Sequence, residues 1–163
     1  NEIVYLKQKS AASKGIMVNI ADVGFGVSQI LPILLDGLRM PVWNTLILEQ
    51  PELHLHPNLQ MQMADYFISL ALSKKRVIVE THSDHIVNKL VHRIVEDEQY
   101  SLKDLIGIYF ISPTNDGSKC AEVQIDPERD IINWPEGFFD QTAKEQLQTL
   151  QAGLKKRLSK KEY

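Results

Sequence analysis

The sequence predicts an α/β fold, a mostly parallel sheet with flanking helices, and three observations carry that expectation. Thr45-Leu46-Ile47-Leu48 and Val77-Ile78-Val79 are short apolar runs that end abruptly in polar residues, too short for helices and fit for strands. Each run is followed by apolar residues at helical spacing. The middle of the chain therefore reads strand–helix–strand–helix, the signature of parallel strands joined by crossover helices.

Taken in order, Ile3–Leu6 and Ile16–Ile20 are candidate strands. Gly24-Phe25-Gly26 is a glycine turn that opens a helix with apolar residues at Val27, Ile30, Leu31, Leu34 and Leu38. Pro32 reads as lying in the first turns of that helix, where proline costs least. The run at 45–48 is expected to be buried on both faces, as strands of parallel sheets are. Pro57 suits the first position of a helix whose buried stripe is Leu59, Met63, Phe67 and Leu70. After Val77–Val79, Ser83 or Asp84 is positioned to cap a helix burying Ile86, Leu90 and Ile94, with Val87, Val91 and Val95 beside them. Ile106–Ile111 and Ala121–Ile125 read as strands joined through a turn at Pro113–Gly117. Trp134, Phe138 and Phe139 read as a packing plug rather than a base-stacking platform. Ala143, Leu147, Leu150, Leu154 and Leu158 then stripe a last helix.

Composition narrows the function classes. The chain has 163 residues, 44% hydrophobic and 24% charged, enough for a proper core and ordinary for a soluble globular protein. No apolar run approaches the roughly 20 residues of a membrane helix, and no signal peptide is evident. Cys120 stands alone, which excludes an internal disulfide and fits a reducing, cytoplasmic setting. The net charge is −3, so no global basic field draws the chain to nucleic acid. Residues 141–163 nonetheless carry a balance of +4, and the remainder −7. That segment, 142–163, reads as an amphipathic basic helix, with a solvated face or a polyanion contact both open. The first residue is Asn1 rather than Met, so the chain reads as a piece of something longer.

The chemistry concentrates at two strand ends, Glu49-Gln50-Pro51-Glu52 and Glu80-Thr81-His82-Ser83. In parallel sheets ligands gather at the carboxyl ends of strands. An acidic strand tip suits a hydrated Mg²⁺, which takes one or two carboxylates beside waters and phosphate oxygens. A histidine at the neighbouring tip can donate a hydrogen bond to a phosphate.

The run Leu46-Ile47-Leu48-Glu49-Gln50-Pro51-Glu52-Leu53-His54-Leu55-His56-Pro57 resembles the Walker B and D-loop stretch of ABC-type ATPases. Val77–Ser83 resembles their switch-histidine strand, and Val23-Gly24-Phe25-Gly26-Val27-Ser28-Gln29 a divergent signature motif. The three come in the family's order, and the resemblance covers most of residues 20–141. The Pro-Glu-Leu-His-Leu-His-Pro form resembles the overcoming-lysogenization-defect and SMC-related branch rather than the transporters. The Trp134–Phe139 region is similar to that of bacterial ATPases whose C-terminal part has no assigned function.

This resemblance implies that residues 1–141 form the C-terminal lobe of a P-loop ATPase head using ATP and Mg²⁺. Glu49 would be the Walker B acid supporting the metal, Gln50 would stand at the catalytic glutamate, and His82 would face the γ-phosphate. His54–Pro57 would be the D-loop, placing His56 near nucleotide and partner. Gly24, Phe25, Gly26 and Ser28 would reach nucleotide held by a second copy, where the helix N-terminus favours an anion. A homodimer through the nucleotide sites and a DNA partner are implied as well.

Two departures bear on activity. An amide is not a base, so Gln50 would orient water, or Glu52 would supply the carboxylate, or turnover would be slow. Gly24 stands where the signature serine is usual, leaving Ser28 as the nearby hydroxyl. No G-x-x-x-x-G-K-[ST] loop occurs in the chain, so the N-terminal lobe with Walker A is expected from outside it, and the chain alone is expected to be inactive. A regulatory nucleotide-binding module with little turnover is the alternative. A zinc-dependent hydrolase built from His54, His56, His82, His85 and Asp84 is a third reading.

Overall fold

The computed structural model describes residues 5–10, 13–19, 25–99, 101–128, 130–133, 135, 137–139 and 145–152. Gly24, Trp134, Ala143, Leu154 and Leu158 lie outside the described residues, as do the ends of the two expected N-terminal strands at Ile3 and Ile20. The chain divides into two compact units, Asn1–Leu90 and Val91–Tyr163, and the division falls within the third helix.

In the first unit, β1 (Tyr5–Ser10) and β2 (Ser13–Asn19) form an antiparallel hairpin with a register irregularity between Gln8 and Ser10. Helix α1 spans Phe25–Arg39. Strand β3 (Thr45–Glu49) pairs in parallel with β4 (Arg76–Glu80), and α2 (Pro57–Leu72) connects them. Helix α3 runs from Asp84 to Glu96. The core is Leu55, Met63, Ala64, Phe67 and Ile86, with Ile30, Ile33, Leu48, Leu59, Tyr66, Val77, Val79 and Leu90 packed around it. Burying each of the larger side chains contributes roughly 1.5–3 kcal/mol. The heptad-like spacing of apolar residues on α2 is what aims Met63, Phe67 and Leu70 inward.

The expectation of a mostly parallel sheet is met only by β3 and β4. Four two-stranded sheets are described, and the other three are antiparallel. Nor is β3 buried on both faces. Both strands alternate, so Leu46, Leu48, Val77 and Val79 turn inward while Ile47 and Ile78 are 67% and 57% exposed. Among the described residues no layer covers that outer face. Pro32 sits in the middle of α1 rather than in its first turns, where its missing N–H costs one helical bond. Val95, read as part of the buried stripe of α3, is exposed.

Helices α1 and α2 meet through Tyr66, whose hydroxyl donates to the Leu34 carbonyl at 2.8 Å. Burial, with the Asp36 charge adding, raises that phenol above the ordinary tyrosine range and keeps it a donor. The contact depends on Gly37: a Cβ there would collide with the Tyr66 hydroxyl and lie 2.9 Å from Leu70 Cδ1. Lys75 closes the end of α1, its Nζ donating to the carbonyls of Gly37 at 2.7 Å and Leu38 at 3.0 Å.

In the second unit, β5 (Tyr109–Thr114) and β6 (Gly117–Glu122) form a hairpin closed at Asn115-Asp116. The turn is tighter than expected, because Pro113 lies inside β5 opposite Ser118. A two-stranded sheet has only edges, where a residue lacking N–H is tolerated. β5 also starts later than expected. The Asp97 carboxylate accepts from Leu102 N–H at 2.8 Å, Gln99 N–H at 3.2 Å and Ser101 Oγ at 2.9 Å, winding the preceding segment into turns. Short strands β7 (Ile125–Asp126) and β8 (Asp130–Ile131) follow. Phe138 is buried, edge-on to Phe110 with ring centroids 5.6 Å apart. Residues 145–152 are helical, with Leu147 and Leu150 exposed.

Two outcomes test this packing. Gly37→Ala adds about 1 kcal/mol of helix propensity but overpacks a filled site at about 1–3 kcal/mol, so urea unfolding should show a net loss of about 1 kcal/mol. In a Tyr66→Phe background the same substitution should cost less. Hydrogen bonds, led by that from Leu102 N–H, hold the Asp97 carboxyl below the usual carboxylate range. A depressed folded pKa contributes stability above the unfolded value of about 3.9 and loses it as pH falls through the folded value. The stability difference between wild type and Asp97→Ala should therefore be full at pH 7 and shrink in acid titration below about pH 4.

Candidate functional site

Because Leu48 and Val79 pack inward, the strand period of two sends Glu49 and Glu80 to the opposite, exposed face. The two glutamates are register partners across the parallel pair. Strand spacing sets such neighbours about 4.8 Å apart, close enough for like charges to repel unless a cation or a donor intervenes. His82, two residues beyond the tip of β4, brings Nε2 to 3.1 Å from Glu80 Oε1, and both side chains remain largely exposed. Glu49, Glu80 and His82 thus share one end of one strand pair.

The chain leaves β3 by a tight loop. Gln50 takes φ +44° and donates its N–H to the Glu80 carbonyl at 2.9 Å, extending the ladder by one residue. His54 takes φ +62°. Non-glycine residues in this left-handed region carry strain that surrounding contacts must offset. Here the offset comes from Leu55, which enters the core, while Glu52 in the same loop is only 6% exposed. Within the loop Leu53 N–H reaches the Gln50 carbonyl at 3.3 Å and Leu55 N–H the Glu52 carbonyl at 3.0 Å.

Two bridges tie this loop to the loop after β4. Glu52 Oε1 accepts the His82 N–H at 2.8 Å, while Oε2 is buried without a hydrogen-bond partner among the described residues. Gln60, on α2, donates Nε2–H to the Leu55 carbonyl at 2.9 Å and accepts from Ser83 Oγ at 2.6 Å. Ser83 Oγ in turn accepts from Ile86 N–H at 3.1 Å, so Ser83 rather than Asp84 caps α3. His56 caps α2, its Nδ1 accepting from Asn58 N–H at 3.3 Å, and Pro57 takes the first helical position as expected. The start of α1 rests against the same loop: a Cβ on Gly26 would lie 2.9 Å from the His54 carbonyl oxygen and 3.1 Å from Leu55 Cδ2. Glycine is required there for close approach.

Glu49, Gln50, Glu52, His82 and Gly26 are therefore gathered around one strand end and its two loops. Ser28 lies exposed in the first turn of α1, and Phe25 begins that helix. Glu80 joins Glu49 at the strand end, and both end runs of equal character. Gln60 carries no sequence signal, since its partner Ser83 lies 23 residues away. The zinc reading finds no geometry: among the described residues no three His, Cys, Asp or Glu side chains converge as metal ligands. His82 faces Glu80, and His85 lies 3.8 Å from Asp84.

Comparison with known proteins gives two family matches. Residues 1–87 match a family described as an AAA ATPase domain, and residues 103–148 match a protein family of unknown function, DUF3696. No curated protein matches the chain. A solved structure from work on ATP-driven dimerization and DNA-stimulated activation of SMC ATPases superposes with a TM-score of 0.50 at 15% identity. The match covers 74% of this chain and 65% of that one, so the chain spans about two thirds of the length of its structural relative. That likeness is one of fold.

Ser83 offers a direct test of how the site is held. Ser83→Ala removes a helix cap and leaves Gln60 short of a donor, and should cost about 1–2 kcal/mol in urea unfolding. A change under about 0.3 kcal/mol would show that the bridge contributes nothing.

Proposed function

The chain belongs to the AAA ATPase domain family, and from that premise we propose that it is the lobe of an ATP-hydrolysing head that carries the metal-side acid and the phosphate-sensing histidine. The observation that supports this most is the pairing of β3 with β4, which sets Glu49 and His82 at the same strand end. Glu49 and Glu80 fit a hydrated Mg²⁺, a cation that asks for one or two carboxylates and keeps its waters. Bound Mg²⁺ would neutralise phosphate charge as the terminal phosphoryl group is displaced.

The roles of the protein groups follow from their chemistry. Glu49 holds the metal's water shell. Gln50, pinned by its own N–H to the Glu80 carbonyl, orients the attacking water through its amide and takes no proton. His82 donates to the terminal phosphate from a side chain left exposed for that contact. The N-terminus of α1, with Phe25, Gly26 and Ser28, and Gly24 before it, offers N–H groups to nucleotide held by a second copy. His56 keeps the loop after β3 in register by capping α2. In this reading Glu52, 6% exposed and accepting the His82 N–H, holds the loop while Gln50 faces the water.

Two partners belong to this reading. The outer face of β3 and β4, with Ile47 and Ile78, is bare although parallel strands are ordinarily covered on both sides. A preceding lobe bearing the phosphate-binding loop would cover it, and the chain alone would not turn over ATP. Head-to-head dimerisation and coupling to DNA complete the proposal, with residues 142–163 as a basic helix beyond the lobe. No helix among the described residues is long and apolar enough to cross a membrane.

Gln50 favours a second reading, a nucleotide-dependent regulatory module with little turnover. One experiment addresses both. In the longer protein carrying a phosphate-binding loop, Mg²⁺-dependent ATP hydrolysis should fall about a hundredfold with His82→Ala. Gln50→Glu should raise a slow basal rate about tenfold or more if the module is a switch. Unchanged hydrolysis in His82→Ala would remove the ATPase assignment of this site.

A further inference from the structure

Two bridges join the loop after β3 to the loop after β4, and the one that reaches the His82 backbone comes from the buried acid Glu52. The His82 side chain is 74% exposed and touches Glu80 Oε1 rather than the core. Its place is set by that contact and by where its backbone stands. That backbone is fixed on one side by Ser83, which caps α3, and on the other by Glu52 Oε1, which accepts the His82 N–H at 2.8 Å. Glu52 is 6% exposed, and its second oxygen has no partner among the described residues. A buried acceptor left half satisfied is costly and asks for a reason.

We propose that Glu52 is a positioning residue: its carboxylate ties the loop after β3 to the His82 backbone and so sets where the imidazole stands relative to Glu49. The inference rests on the ATPase reading for its consequence, although the tie itself does not. Gln60 holds the same two loops at Leu55 and Ser83, so the Glu52 bond is the one that fixes the His82 end. Glu52 sits between two left-handed residues, Gln50 and His54, in a loop that also bears on Gly26 of α1. A shift of that loop therefore moves His82 directly. Misplacing a reacting group by about 1 Å can cost on the order of a hundredfold in rate.

The test uses the longer protein and two readouts. Hydrogen–deuterium exchange at the His82 amide reports the tie without any turnover, and steady-state kinetics reports its use. In Glu52→Leu, exchange at His82 should accelerate about tenfold or more while the β4 amides stay protected. Over the same change kcat should fall between about ten- and a hundredfold, with KM for ATP altered less than about threefold. Glu52→Gln keeps an acceptor oxygen and should retain His82 protection and most of kcat. Glu52→Asp keeps the charge but is one methylene too short, and should behave like Glu52→Leu, which covers the case where the leucine variant does not fold. If exchange at His82 is unchanged in both Glu52→Leu and Glu52→Asp, the tie does not exist and the proposal is wrong. If Glu52→Gln loses kcat as fully as Glu52→Leu while His82 stays protected, the carboxylate acts chemically and the positioning role is overturned. Should the wild type hydrolyse no ATP, the parent reading fails, and exchange at His82 still decides whether Glu52 holds the loop.

Discussion

The parallel pairing of β3 with β4, with one face anchored by Leu48, Val77 and Val79, is the constraint on which the site depends. Because successive strand residues point to opposite faces, anchoring those three side chains inward leaves Glu49 and Glu80 no alternative but the outer face. A slip of one residue in either strand would bury a carboxylate and expose a valine or leucine. The core thus sets the register, and the register sets the chemistry. Met63, Ala64, Phe67 and Ile86 help fix the position of Glu49 and Glu80 by this indirect route, although none lies at the strand end.

What surrounds the strand end is a set of tertiary hydrogen bonds rather than a rigid element. Gln50 borrows the Glu80 carbonyl, Glu52 takes the His82 N–H, and Gln60 spans Leu55 and Ser83. Each bond joins the loop after β3 to the β4 tip or the loop after it. Together they offset the strain of two left-handed residues and let short polar segments stand at defined positions without being packed. Side chains that stand exposed are not held by packing, so their placement has to come from buried neighbours. Glu52, Ser83 and Leu55 are those neighbours here.

The outer face of the β3–β4 pair stays exposed among the described residues. Ile47 and Ile78 form an apolar strip between an inner layer of helices and nothing described on the other side. In the second unit the hairpin of β5 and β6 likewise shows Tyr109 and Ile111 outward. Large apolar residues scattered singly are ordinary on surfaces, but paired rows on a parallel sheet are covered in most α/β proteins. The expectation of strands buried on both faces came from their composition, and composition is unchanged by whether a covering layer is present.

Local physics was legible in the chain itself. The strand runs at 45–48 and 77–79, Pro57 at the first position of α2, the inward stripe of α2 and the glycine-opened start of α1 all follow from periodicity and backbone propensity, which neighbouring residues report. The acidic and histidine-bearing strand tips could be named for the same reason, and their family likeness with them. Side-chain partners across loops could not. That Glu52 is buried and grips His82, that Glu80 stands beside Glu49, and that Gln60 bridges to Ser83 depend on residues far apart in the chain, 30 positions for the first pair and 23 for the last. Sequence encodes which groups can bond, whereas packing of α2 against the strand pair decides which of them meet, because only the folded chain brings distant donors and acceptors within about 3 Å.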